Sequence, residues 1–157
     1  MLLKNTAVFS DSTDLEIVVN IQDNYDILNT KTKKGITAFH IACQEGHLEL
    51  VKMFMEYAFT LCVDLNIRAK KGITAFHMAC KKGHSEVVKI FMEYAFILNI
   101  DLNTKTKKGR TAFNIACEEG HSDVVMIFME NAVALSIDLN AQDNYGYTGF
   151  YFLLGVQ

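Results

Sequence analysis

The sequence predicts an all-α solenoid, in which one small helix–turn–helix unit recurs every 37 residues and stacks on its neighbours. Three observations carry this expectation. Gly35, Gly72, Gly109 and Gly146 keep a constant spacing of 37, as do Thr37, Thr74, Thr111 and Thr148, and Phe39, Phe76, Phe113 and Phe150. Between Gly35–Lys71 and Gly72–Lys108, 25 of 37 positions are identical, so the two units must fold alike. A second glycine, always followed by histidine, divides each full unit: Gly46-His47, Gly83-His84 and Gly120-His121. The chain therefore reads as one array. Residues 1–34 form a degenerate first unit, 35–71, 72–108 and 109–145 full units, and 146–157 a partial last one.

Each element of a unit has a local reason. Thr30-Lys31-Thr32-Lys33-Lys34 is polar and leads into Gly35, which suits a turn. Thr37 is placed to cap a first helix over Ala38–Gln44 or Glu45. Phe39, Ile41, Ala42 and Cys43 leave that helix little polar face. Gly46 ends it, as glycine commonly does just past a helix. A second helix starts near Leu48, with Val51, Phe54, Met55, Ala58 and Cys62 at helical spacing. Asp64-Leu65-Asn66 then leads to the next turn.

In this order the motifs resemble ankyrin repeats. The family's T-P-L-H-x-A signature is matched by Thr37-Ala38-Phe39-His40-Ile41-Ala42 and Thr74-Ala75-Phe76-His77-Met78-Ala79, and more loosely by Thr111-Ala112-Phe113-Asn114-Ile115-Ala116. Gly83-His84-Ser85-Glu86-Val87-Val88 and Asp101-Leu102-Asn103 match two further family elements. The resemblance runs from Asn29 to about Leu154 and implies an all-α ankyrin-repeat solenoid. Two departures stand out. Ankyrin units usually have 33 residues, and the signature proline is alanine in a chain with no proline at all. The four added residues follow Ala58, Ala95 and Ala132, where the family has a helix-ending glycine. Four residues are close to one helical turn, so the expectation is a second helix lengthened through Phe59–Cys62, Phe96–Asn99 and Val133–Ser136.

The ends are atypical. Asp14-Leu15-Glu16-Ile17-Val18 echoes the start of a second helix, and Ala7–Ser10 reads as the remnant of a first one. At the other end Tyr147–Leu154 starts a fourth unit. There Tyr151 stands where His40, His77 and Asn114 stand earlier, and it cannot repeat their hydrogen bonding.

Composition excludes little. Half of the 157 residues are hydrophobic, 21% are charged and the net charge is −3, which suits a soluble globular chain. No stretch approaches the ~18 apolar residues of a membrane span, and the start does not read as a signal peptide. Cys43, Cys80 and Cys117 occupy one position in successive units and read as small buried thiols. Stacked elements lie about 8–10 Å apart, too far for a disulfide. A reducing cytoplasmic or nuclear compartment is expected.

No catalytic constellation is visible, and neither a metal nor a cofactor is expected. His40, His77, His47, His84 and His121 repeat along the stack and diverge, whereas metal ligands converge to ~2 Å from one point. In the family the signature histidine and threonine hold turn and helix together. Asn66, Asn103 and Asn140 occupy a position resembling ankyrin asparagines that some hydroxylases accept.

The functional signal is basic. Lys31, Lys33, Lys34, Arg68, Lys70, Lys71, Lys105, Lys107 and Lys108 put nine of fifteen Lys and Arg residues on three turn tips. The remainder of the chain is correspondingly acidic. Two readings stay open: a stripe that steers an acidic protein partner, or turns that are merely kept soluble. Nucleic acid is disfavoured because aromatic residues are not interleaved with the cations.

The resemblance implies contacts at the tips and inter-helix loops of the concave side. These are Lys33, Lys34, Ile36, Gln44 and Glu45; Lys70, Lys71, Ile73, Lys81 and Lys82; Lys107, Lys108, Arg110, Glu118 and Glu119; then Asn144, Tyr145 and Tyr147. The reading is a non-catalytic, monomeric interaction module, unless the apolar C-terminal segment mediates association. A regulatory inhibitor, or the docking region of a larger enzyme, is the alternative.

Overall fold

The computed structural model describes residues 6–7, 19–20 and 28–155. From residue 28 onward it is an all-α solenoid of stacked helix–turn–helix units, as the resemblance implies. First helices are α1 (Ala38–Glu45), α3 (Ala75–Lys82), α5 (Ala112–Glu118) and the short α7 (Gly149–Leu153). Second helices are α2 (Leu48–Glu56), α4 (Ser85–Tyr94) and α6 (Ser122–Asn131). First helices pack on first helices and second on second, and each pair packs within its own unit.

Before this array, β1 (Thr6–Ala7) pairs antiparallel with β2 (Val19–Asn20), Thr6 opposite Asn20 and Ala7 opposite Val19. Of the helical remnant expected over Ala7–Ser10, Ala7 lies instead in extended backbone opposite Val19, and residues 8–10 lie outside the described residues. The Asp14–Val18 echo lies outside them too.

The core is a zigzag of phenylalanines. Phe39 meets Phe54 at 5.3 Å and Phe91 of the next unit at 5.8 Å. Phe76 meets Phe91 at 4.8 Å and Phe128 at 5.6 Å, and Phe113 meets Phe128 at 5.4 Å and Phe150 at 5.3 Å. These spacings are those of favourable aromatic pairs, so Phe39, Phe76 and Phe113 each couple their own unit to the following one. Small residues at the helix contacts (Ala42, Ala79, Ala116, Cys43, Cys80, Cys117) are buried. Desolvation raises all three of these thiols, Cys117 to about 12. All four cysteines are free, and Cys62 is exposed.

Each full unit's first helix opens with a capping box. Thr37 Oγ1 accepts from His40 N–H while His40 Nδ1 accepts from Thr37 N–H, and Thr74–His77 repeats this. Asn114 substitutes for histidine in the third unit: its Oδ1 accepts from Thr111 N–H at 3.0 Å and its Nδ2 donates to Ala141 C=O at 3.1 Å. Thr148 makes no such bond opposite Tyr151, as expected.

The second helices differ from expectation. Their regular part stops at Glu56, Tyr94 and Asn131. The added residues form one further hydrogen-bonded turn, in which Leu61, Leu98 and Leu135 N–H donate to Tyr57, Tyr94 and Asn131 C=O at 2.8, 2.9 and 3.0 Å. The turn closes on a left-handed residue: Cys62 (φ 48°), Asn99 (50°) and Ser136 (52°). The next N–H then reaches back five residues, Val63 to Ala58, Ile100 to Ala95 and Ile137 to Ala132. This is a Schellman-type closure. The inserted residues have moved the helix stop by one turn. Closure after a single turn leaves too few i→i−4 bonds to continue a regular helix.

Asparagines tie these turns together. Asn29 Nδ2 donates to Cys62 C=O at 2.8 Å and its Oδ1 accepts from Asp64 N–H at 2.9 Å. Asn66 bridges Asn99 and Asp101 in the same way, and Asn103 bridges Ser136 and Asp138.

Candidate partner-binding surface

The turn tips are hairpins joined into a ladder. Thr32, Ala69, Thr106 and Asp143 N–H donate to Ile36, Ile73, Arg110 and Tyr147 C=O, closing each turn. Lys70 N–H donates to Lys34 C=O at 2.9 Å, Lys107 to Lys71 at 2.8 Å and Asn144 to Lys108 at 3.0 Å. Arg68 donates to Lys105 C=O and Lys105 Nζ to Gln142 C=O, so two long cationic side chains also span tips. The tip lysines Lys33, Lys34, Lys70, Lys71, Lys107 and Lys108 are all exposed. Among the described residues, none of the nine tip cations pairs with a carboxylate.

The side chain that ends each turn varies with the sequence. Thr32 and Thr106 Oγ1 each accept one N–H, from Ile36 and Arg110. Asp143, buried, accepts two, from Tyr145 and Tyr147. Ala69 accepts none through its side chain, and in that tip Lys71 itself takes a left-handed φ of 66°.

Arg110 shows how the tips face the first helices. Its Nη1 donates to Glu118 at the end of α5, its Nε to Asp143 at 3.4 Å, and its guanidinium lies 5.2 Å from the Phe152 ring centroid. The sequence places Arg110 and Glu118 in one contact row; the structure brings them together as an ion pair, so Arg110 is not a free cation. Tyr147 stacks on Tyr151 at 4.2 Å, and Tyr145 is 69% exposed. Ile36 and Ile73 are half-buried at the tip bases. Gln44 is half-buried and donates to the exposed Glu45 at 2.9 Å. Lys81, Lys82 and Glu119 are exposed at the ends of first helices.

Several residues of this face are not singled out by the sequence reading. Ile41 is 46% exposed, and Met78 and Ile115, its equivalents, are half-buried. Their shared register was the available signal. Tyr151 and Phe152 complete an aromatic cluster around Arg110.

The histidines serve stacking. His84 Nε2–H donates to Gln44 C=O at 2.8 Å and His121 Nε2–H to Lys81 C=O at 2.9 Å, each reaching into the preceding unit. Their rings lie over Gly46 and Gly83, where a Cβ would come within 2.7 and 2.6 Å of Nδ1. His77 accepts at Nδ1 and carries its proton at Nε2, directed at Arg110 C=O. Burial lowers His77 to about 4 and lowers His40 in the same direction. Among the described residues no three His, Cys, Asp or Glu side chains gather as a metal site, and no helix is long and apolar enough to cross a membrane.

No curated protein is similar enough to the chain to count as a match. A family model for ankyrin repeats, in three copies, matches residues 6–105, well over half of the chain. Repeats of this kind are generally protein–protein interaction modules, and typically non-catalytic. With the 37-residue register, the threonine capping boxes and the stacked helix pairs, this match shows that the chain belongs to the ankyrin repeat family.

Proposed function

We propose that the array is a non-catalytic docking module whose basic tips steer an acidic protein segment onto the face between the tips and the first helices. The carrying observation is the tip ladder: it holds Lys33, Lys70 and Lys107, and Lys34, Lys71 and Lys108, in register, with no carboxylate paired to them among the described residues. Such aligned charge accelerates encounter with an oppositely charged partner. Beyond the tips, Ile36, Ile73 and Tyr147 supply apolar and aromatic anchors, and anchors of this kind dominate binding energy. One copy of the chain suffices for this surface. Four free thiols, three of them buried, support a reducing cytoplasmic or nuclear setting.

The test is capture by the intact array, with a Lys→Gln variant at positions 33, 34, 70, 71, 107 and 108 as control. A partner selected by the stripe binds the variant with a slower association rate, and the loss is largest at low salt. Ile73→Ala instead speeds dissociation. Wild-type kinetics in the lysine variant at every salt concentration refute the steering role. Preferential retention of a labelled DNA duplex over acidic protein refutes the partner class.

A further inference from the structure

The inserted turns carry apolar side chains into water. Phe59, Phe96 and Val133 share one register and are 71, 89 and 94% exposed, and Ile97 beside them is 63% exposed. Apolar exposure repeated in register forms a ridge, which scattered surface residues do not. Two equivalent clefts lie between consecutive turns. The larger, about 390 Å³, is lined by Phe96, Ile100, Asp101, Ala134 and Leu135. The smaller, about 190 Å³, is lined by Phe59, Val63, Asp64, Leu65 and Leu98.

Acidic rows flank this ridge. Glu56, Glu93 and Glu130 stand three residues before each ridge residue, on the same helical face. Asp64, Asp101 and Asp138 stand five residues after it, and the first two line the clefts. All six are exposed, and none forms a salt bridge among the described residues. The asparagine bridges from Asn29, Asn66 and Asn103 fix the turns to one another, so the clefts are preformed.

We propose that this ridge is a second docking surface, opposite in charge to the tips, and that it receives a basic amphipathic helix of a partner protein. Stacked units advance about 8–10 Å, and an α-helix advances about 10.8 Å in two turns. A helix lying across the stack therefore sets apolar side chains at i and i+7 against the two clefts. Lysines or arginines on its flanks then meet the two carboxylate rows. The same rows oppose an anionic lipid surface, the other common destination of an exposed apolar ridge.

The probe is a fluorescein-labelled helical peptide of about 18 residues with leucines at i, i+7 and i+14 and lysines on both flanks. Its counterpart carries glutamate in place of lysine. Anisotropy titrations use the full chain. The lysine peptide binds and the glutamate peptide does not. Phe96→Ser weakens binding at least about tenfold, and Glu93→Lys with Glu130→Lys weakens it most at low salt. The tip lysine variant binds at least as well as wild type. Because Phe96 is almost fully exposed, Phe96→Ser keeps the wild-type melting temperature, which separates lost docking from lost fold. Wild-type affinity in the Phe96→Ser variant, equal binding of the glutamate peptide, or binding to phosphatidylserine vesicles in place of the peptide overturns the proposal.

Discussion

Replacing His77 with asparagine should leave the fold in place and remove a large part of its acid sensitivity. His77 is buried and neutral: Nδ1 accepts from Thr74 N–H at 3.2 Å, which a protonated ring could not do. Desolvation holds it at about 4, against about 6.5 for a solvated histidine. Between these values the unfolded chain takes up a proton and the folded chain does not. Stability is therefore complete above pH 6.5, falls as the pH drops, and levels off below about 4. Linkage puts the full loss at about 3 kcal/mol, of which about 2 kcal/mol is gone by pH 5. Asn114 already performs the same capping in the third unit without a titrating group. Urea unfolding followed by circular dichroism, at pH 8, 6.5 and 5, compares wild type with His77→Asn. The stability difference between them should move by about 2 kcal/mol toward the variant from pH 8 to pH 5. Other titrating groups are common to both chains and cancel. A difference that stays constant with pH refutes the argument.

Three further outcomes follow from the same geometry. Cys62→Gly and Ser136→Gly should each raise stability by about 0.5–1 kcal/mol by relieving a left-handed backbone, and Asn99→Gly should gain less because asparagine tolerates that region; thermal melts that rank Asn99→Gly first contradict this. Gly83→Ala should cost about 2 kcal/mol, since the new Cβ displaces the His121 ring and breaks its bond to Lys81 C=O; Gly120→Ala, with nothing within 4 Å, should cost less, and chemical denaturation measures both. Removing the chain from Gly146 onward strips Phe150 and Phe152 from unit three and exposes the face around Phe113, so light scattering should detect association; a monomeric truncated chain with unchanged melting temperature would show that α7 covers nothing of consequence.

Local and repeated features were legible in the sequence. Thr37 and Thr74 cap first helices because the threonine and the histidine three residues on lie within one turn, and the motif states both. The buried cysteines follow from a position shared by three apolar helices. Features that cross between units were not. His84 and His121 read only as the residues after each dividing glycine, yet their rings lie over the glycine of the preceding unit, 38 residues earlier, which requires the stacking offset. Features of a single unit were hidden by the period itself. Arg110 replaces Ile36 and Ile73 in the register and reads as one more contact residue; Glu118, Asp143 and Phe152 occupy it because all three are present only around the third unit. The length of the inserted turn was readable, but its closure on Cys62, Asn99 and Ser136 was not, since none is a glycine.

The two charged surfaces have one cause. In a stacked solenoid any residue choice at one register is multiplied into a row, so a lysine at a tip becomes a basic stripe and a glutamate before the inserted turn becomes an acidic one. Like charges in such rows are separated by about one unit, roughly 10 Å. At that distance two unit charges repel by about 0.4 kcal/mol in water before salt screening, little beside the burial energy of a single core phenylalanine, about 1.5–3 kcal/mol. The fold can therefore carry both rows at small cost. That same repulsion is released when an oppositely charged partner arrives, and the gain falls with ionic strength on both faces. The two surfaces differ in what lies between the charges. Between the tips and first helices it is half-buried Ile36 and Ile73, already largely desolvated. On the inserted turns it is Phe59 and Phe96, which the described part of the fold leaves exposed.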